Sequence, residues 1–255
     1  MTMLKKFSFE GVLDKQIVVF DLDGTIVFDG KTIDSDILST LLVLDKMSHI
    51  IFASARPIRD MLPLLTDFGQ NSLIGGNGSM IRHKNQITLT SYIDENVMLK
   101  VVNKIHELNL DYIIDYEWNY SAKIEDHRNP ILQKLDSAKL ADNVAIRTTN
   151  VSKVILFNIS KELALQFSRD KDVSVLYHED VQELVITGKG SDKYLALKQV
   201  IGDNLYYAFG NDKNDINLLQ NAAKGFSVEY PFLQSENVQI ITKQEVCSTI
   251  KLLIK

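Results

Sequence analysis

Asp21 and Asp23 stand two residues apart, directly after the apolar run Ile17-Val18-Val19-Phe20. Two carboxylates delivered to the end of a buried strand can divide a displacement between them, one as nucleophile and the other as the group that handles protons. An aspartate is a poor nucleophile toward phosphorus while the phosphate's own charge repels it, so such chemistry needs a divalent cation and positive groups nearby. The chain offers candidates for both. Lys193 falls in the first turn of an expected helix, where a cation is disfavoured by the helix dipole unless an anion shares the spot. Ser54 closes a second apolar run; its hydroxyl can donate to a phosphoryl oxygen, or it can cap the helix opening at Pro57. Gly210-Asn211-Asp212-Lys213-Asn214-Asp215 follows another strand-like segment and supplies oxygen ligands suited to Mg²⁺.

These groups converge only if the segments ahead of them lie side by side. A continuous β-branched and aromatic run predicts a central parallel strand, and open α/β sheets bind ligands beyond their strand carboxyl ends. From Gln16 to about Met80 the pattern alternates: strand 16–20, a helix over Asp34–Met47, strand Ile50–Ala53, a helix opening at Pro57, and a short strand Ser72–Ile74. Between them, Asp29-Gly30 within Val27–Thr32 signals either a tight hairpin folding back over the aspartates or a surface loop.

From about Ile81 to Glu183 the pattern changes. Strands are expected at Ile87–Thr90, Tyr112–Ile114, Val154–Phe157 and Val173–Leu176, with helices near Asp94–Leu108, Pro130–Leu140 and Lys161–Ser168. The alternation then returns with Glu183–Thr187, a helix over Ser191–Ile201, strand Leu205–Phe209, helix Asp215–Ala222, strands Gly225–Val228 and Gln239–Ile241, and a helix from Lys243. The expected fold class is α/β, a Rossmann-like parallel-sheet core with an inserted α+β cap domain. The core comprises 1–81 and 184–255, and the cap 82–183.

The 255 residues carry a formal charge of −5 with no basic block, which excludes a broad nucleic-acid surface, so an anion must be bound locally. One cysteine, Cys247, allows no internal disulfide or cysteine-rich metal cluster and agrees with a reducing compartment. Met1–Gly11 lacks a long apolar stretch and no segment approaches a membrane span, so a cytoplasmic protein without a membrane partner is expected. Oligomeric state has no signature in the sequence. The five histidines, His49, His83, His106, His127 and His178, show no metal-ligand spacing. Arg56 is expected in an ion pair within the core, and Tyr116, Trp118 and Tyr120 either touch a substrate or fill the cap core.

Asp21-Leu22-Asp23-Gly24-Thr25, Phe52-Ala53-Ser54-Ala55-Arg56, Lys193 within Lys189-Gly190-Ser191-Asp192-Lys193, and Gly210 to Asp215 stand in an order and spacing far more specific than any one piece. Together they resemble the haloacid dehalogenase (HAD) superfamily of phosphohydrolases. The match is to its Cof-type branch, with a C2-type (IIB) cap between the second and third motifs. Asn77-Gly78 after Gly75-Gly76 also resembles that branch's turn after the third strand. The resemblance spans essentially the whole chain. It implies a phosphatase in which Asp21 attacks phosphorus to give an aspartyl phosphate, while Asp23 protonates the leaving alcohol and later activates water. It implies Mg²⁺ held by the Asp21 carboxylate, the Asp23 carbonyl and Asn211, with Asp212 and Asp215 supporting from behind. Ser54, Lys193 and Asn214 would then bind the phosphoryl group, and the substrate would be a small phosphorylated metabolite, a sugar phosphate or phosphorylated cofactor. Three positions depart from the pattern. Ala55 and Tyr194 stand where glycine is common, and Asn211 stands where an aspartate usually binds Mg²⁺, removing one negative charge. Two alternatives remain open: a sugar phosphomutase, and a phospho-ligand-binding regulator with weakened catalysis.

Overall fold

The computed structural model describes residues 15–125, 129–231 and 235–254; Met1–Gly11 and His127 lie outside the described residues. The chain opens with β1 (Ile17–Phe20), α1 (Ser35–Met47), β2 (His49–Ala53), α2 (Ile58–Met61), β3 (Ser72–Gly75), β4 (Met80–His83) and β5 (Gln86–Leu89). Then follow α3 (Glu95–Leu108), β6 (Tyr112–Asp115), β7 (Tyr120–Lys123), α4 (Pro130–Lys134), β8 (Lys153–Leu156), α5 (Lys161–Ser168), β9 (Val173–His178) and β10 (Glu183–Gly188). It finishes with α6 (Lys193–Ile201), β11 (Tyr206–Gly210), α7 (Ile216–Gln220), β12 (Lys224–Val228), β13 (Val238–Ile241) and α8 (Val246–Lys251).

The first sheet has the order β13-β12-β11-β1-β2-β3-β4-β5, parallel from β13 to β3 and antiparallel for the last two strands. β1 lies in its middle and is buried on both faces, which is why it reads as an unbroken apolar run. Alternate residues serve opposite layers. Val18 and Phe20, with Phe52, Phe209 and Phe226, pack on α1 and α8, and the Phe20 and Phe209 rings stack with centroids 4.7 Å apart. Ile17 and Val19, with Ile51 and Ala208, pack on α6 and α7. Because β2, β1 and β11 are parallel neighbours, their carboxyl ends share one edge, and Ser54, Asp21 and Asn211 follow directly from them. α1 begins where expected because the Asp34 carboxylate accepts from the Asp36 and Ile37 N–H groups.

The second sheet, β7-β6-β8-β10-β9, is antiparallel throughout. α3 and α5 cover its outer face through Val97, Met98, Val101, Ile105, Ala164 and Phe167, and its other face is turned to the core.

Several segments differ from expectation. β5, expected in the cap, is the outermost strand of the core sheet, because Lys84 and Asn85 at positive φ make a two-residue hairpin with β4. β10, expected in the returning core, pairs with β8 and β9 in the cap sheet. We therefore draw the limits of the insert at the crossovers 90–93 and 189–192 rather than at 81/82 and 183/184. β4 and β7 are additional strands. α4 stops at Lys134 rather than near Leu140, since Leu135 is extended and Asp136 takes φ +44, its carboxylate accepting from the Leu140 and Ala141 N–H groups. Val27–Thr32 is a bend without strands: the Asp29 carboxylate accepts from the Lys31 and Thr32 N–H groups at 2.7 and 2.8 Å, which closes the loop locally. Among the described residues no helix is long and apolar enough to cross a membrane.

Candidate active site

Asp21 is buried at the end of β1, its N–H donating to the Phe209 carbonyl of β11. Its Oδ1 accepts from Lys193 Nζ at 2.7 Å and its Oδ2 from Thr25 Oγ1 at 2.9 Å. Lys193 opens α6 behind the capping carboxylate of Asp192, and its ammonium also donates to Asp215 Oδ1 at 2.7 Å and to Asn214 Oδ1 at 3.3 Å. Two buried carboxylates thus face one buried ammonium, leaving one negative charge uncompensated. Burial pushes the Asp21 carboxyl up to about 7; Lys193 opposes the rise and Asp215 adds to it. Burial also works to lower Lys193, but Asp21 and Asp215 outweigh it and hold the ammonium above the usual lysine range.

Asp215 fixes the turn after β11. Its Oδ2 accepts from the Asn211 and Asp212 N–H groups at 3.0 and 3.2 Å. Asp212 caps that turn through the Lys213 N–H and lines the cleft. The Asn211 side-chain amide lies 2.9 Å from the Asp23 carbonyl and 3.2 Å from Asp21 Oδ2. With nitrogen toward them it donates to both. With oxygen toward them, three acceptors face one another, an arrangement that a cation among them would stabilise. Adjacent oxygens around an octahedral Mg²⁺ stand about 2.9 Å apart, given Mg–O distances of about 2.0–2.1 Å, so this donor set fits the ion. It is a mixed set of carboxylate, carbonyl and amide; among the described residues no three His, Cys, Asp or Glu side chains form a metal-holding group. Gly24, at φ +78, permits the close approach, since a Cβ there would collide with the Asn211 amide.

Asp23 reaches out of the same turn and is half exposed. Arg56 holds it in a bidentate pair, Nε to Oδ2 at 2.7 Å and Nη2 to Oδ1 at 2.6 Å. Arg56 Nη2 also donates to the Gly30 carbonyl at 2.8 Å, so the Asp29-Gly30 loop does fold back to the aspartates. Ser54 is buried at the end of β2. Its Oγ accepts from the Arg56 N–H at 3.1 Å, and it makes no cap bond to α2, whose N-cap is Pro57. Asn214 Nδ2 donates to Asn77 Oδ1 at 3.3 Å across the mouth of the cleft. Of the sequence-derived candidates, Asp23, Asp212 and Asn214 line the cleft, while Asp21, Lys193, Asn211 and Asp215 are joined in the buried cluster behind it and Ser54 is buried at the neighbouring strand end.

Four further side chains meet these groups. Thr25 holds Asp21, Arg56 holds Asp23, Asn77 meets Asn214, and Lys134 of the cap brings its ammonium within 3.7 Å of Asp23 Oδ1. Thr25 and Asn77 lie within the quoted motifs, and Arg56 is in the expected ion pair. For Lys134 no sequence signal exists, because cap orientation is a tertiary property. The cap aromatics do not line the cleft. Tyr116 is buried in the cap core, Tyr120 lies beneath the Arg59 guanidinium, and Trp118 Nε1 donates to the Leu140 carbonyl. Tyr194 packs against the α6–α7 layer of the core, so its bulk does not enter the site.

An ordered carboxylate pair at the mouth of a parallel sheet, roofed by an α+β cap, is the build of a phosphohydrolase. The chain belongs to the haloacid dehalogenase-like hydrolases, whose family profile matches residues 18–230. It is a family of hydrolases, and in this chain an α+β insert lies between β5 and α6. YkrA of Bacillus subtilis (strain 168), named provisionally as a phosphatase, is 25% identical over 228 residues, covering 85% of this chain and 87% of its own. Two solved structures share the fold. A haloacid dehalogenase-like hydrolase from Bacteroides thetaiotaomicron matches with TM-score 0.77 at 17% identity, over 94% of this chain and 99% of its own. The HAD subclass IIB sugar phosphatase BT4131 matches with TM-score 0.72 at 20% identity, over 93% and 98% respectively.

Proposed function

We propose that the chain is a Mg²⁺-dependent phosphatase of small phosphorylated metabolites, sugar phosphates or phosphorylated cofactors, that works through an aspartyl phosphate on Asp21. The observation that carries this reading is Asp21 itself, a buried strand-end carboxylate 2.7 Å from the Lys193 ammonium and 3.2 Å from the Asn211 amide. In the first half-reaction an Asp21 oxygen attacks phosphorus as the bond to the ester oxygen breaks, and Asp23 gives that oxygen its proton, releasing the alcohol. In the second, Asp23 takes a proton from water as the water oxygen attacks phosphorus, the bond to Asp21 breaks, and inorganic phosphate leaves.

Ser54 and Lys193 donate to the phosphoryl oxygens, with Asn214 beside them, and so stabilise charge where it develops. The Asp21 carboxylate, the Asp23 carbonyl and Asn211 would hold Mg²⁺, which when bound neutralises phosphoryl charge so that two anions can meet. Asp215 keeps both Lys193 and the Asn211 backbone in place, and Asp212 caps the same turn through the Lys213 N–H. Arg56 occupies both oxygens of Asp23, so the leaving oxygen must displace one of those bonds. The cap closes the cleft against bulk water.

Phosphate release across a panel of esters, with Mg²⁺ and with a chelator, tests the reading. Metal-dependent release that Asp21→Asn abolishes is expected. Turnover undiminished in that variant overturns the nucleophile, labelled sugar product in place of free phosphate selects a mutase, and ligand binding without turnover selects a regulator.

A further inference from the structure

The register of the cap sheet sorts its core-facing side into bands. Ile113 stands opposite Ile155, Ile155 opposite Val185, and Val185 opposite Leu176, so four strands contribute one apolar row. On one side of that row lie Asp115 and Lys153, which are tied to the core: Arg59 Nη2 donates to Asp115 Oδ1 at 2.6 Å, and Lys153 Nζ donates to the Ala55 carbonyl at 3.0 Å. On its other side Glu183 faces His178 across β10 and β9. The apolar row and Glu183 together roof a cavity of about 220 Å³ whose floor includes Asp23, Arg56 and Asn214. That is the volume of roughly seven waters at liquid density, enough for a phosphoryl group and one six-membered ring.

The two kinds of surface make different demands. Hydroxyl groups set against the isoleucine and valine side chains would lose water and find no partner, and a site that strands polar groups discriminates sharply. A flat apolar ring loses nothing there. Glu183 is the reverse case: it is half-buried on the cavity wall, its carboxylate is open to a ligand, and no hydrogen bond to it is found among the described residues. Burial pushes its carboxyl upward, with His178 and Lys153 only partly offsetting that. A bound N–H or ammonium would satisfy it.

We infer that this cavity selects phosphate esters whose alcohol lays a flat apolar ring on the Ile113–Ile155–Val185–Leu176 row and carries a nitrogen donor that reaches Glu183. The inference rests on the phosphatase reading and narrows its substrate to nitrogen-bearing aromatic alcohol phosphates. The selecting residues all belong to the cap, whereas the phosphoryl-binding residues belong to the core.

Three esters assayed with Mg²⁺ separate the elements: 4-(aminomethyl)benzyl phosphate has ring and ammonium, benzyl phosphate has the ring alone, and glucose 6-phosphate has hydroxyls instead of either. The specificity constant should fall in that order, with a step of about tenfold between the first two. Glu183→Gln should bring the first ester down to the level of benzyl phosphate. Ile155→Asn, checked for an intact melting transition, should raise glucose 6-phosphate relative to benzyl phosphate. Glucose 6-phosphate preferred over both aryl esters, or a Glu183→Gln loss spread evenly over all three, overturns the inference and leaves the phosphatase reading standing. Hydrolysis of none of them overturns that reading, and the inference with it.

Discussion

Two buried charge clusters lie on either side of the cleft, and they are balanced differently. In the core, Asp21 and Asp215 share the single Lys193 ammonium, two negative charges against one positive. At the junction with the cap, Arg59 and Lys153 meet Asp115 and Asp60, two against two. The second cluster is also saturated by other bonds: Arg59 Nη1 donates to the Trp118 carbonyl, Lys153 to the Ala55 carbonyl, and the Asp136 N–H to Asp60. Burial pushes Asp115 upward, but Lys153 and Arg59 outweigh it and hold the carboxyl below its usual range. Asp21, by contrast, is pushed up to about 7. A self-sufficient cluster fastens two domains, whereas an under-neutralised one has a deficit for a ligand to fill.

Removing one carboxylate from each cluster should therefore have opposite consequences. Asp21→Asn should lower phosphate release by at least about a thousandfold if Asp21 is the nucleophile of the proposed function, while its melting temperature holds or rises because a strained charge has gone. Asp115→Ala should leave Arg59 and Lys153 buried without their common partner and cost about 3–5 kcal/mol of stability in denaturant melts. The double variant Arg59→Met/Asp115→Leu should cost less than Asp115→Ala, since it removes charge in pairs. Equal destabilisation by Asp21→Asn and Asp115→Ala would erase the distinction between the clusters.

Within the balanced cluster, Asp60 is the weak member. Burial pushes it up to about 6 despite Arg59. A carboxyl whose folded value is raised contributes stability that is present below its unfolded value near 4 and is lost as pH rises through about 6. Relative to the parent, Asp60→Asn should therefore gain about 1–3 kcal/mol between pH 4 and pH 8, read from paired melts across that range. A pH-independent difference would mean that Asp60 is already neutralised by its neighbours.

The same contrast marks what the sequence reveals. Asp21, Ser54 and Asn211 each follow an apolar run long enough to read as a buried strand, and parallel pairing of those strands then brings them to one edge. Lys193 is legible because a lysine at a helix start defies the dipole. The junction is not legible in this way. Arg59, Asp115 and Lys153 are ordinary charges in three separate elements, and their meeting depends on how the cap is docked. Local pattern also fails where tertiary pairing decides the outcome. Tyr120-Ser121-Ala122-Lys123 has little apolar periodicity yet becomes an edge strand on β6, and β5 and β10 read correctly as strands but join the other sheet.

The smallest effect probes the deficit itself. In the proposed function Asn211 would offer an amide to Mg²⁺ where a carboxylate would add a second negative charge beside Asp21, and the aspartate differs from it little in size. Asn211→Asp should therefore tighten Mg²⁺ binding by about tenfold, measured by calorimetric titration of the ion into metal-free protein and by the Mg²⁺ concentration giving half-maximal phosphate release. The same change should lower the melting temperature of the metal-free protein, because it adds charge to the cluster that already lacks a counter-ion, and saturating Mg²⁺ should restore it. An affinity that does not move, with stability equally unaffected, would mean that the amide 3.2 Å from Asp21 Oδ2 serves as a hydrogen-bond donor there and takes no part in holding a cation.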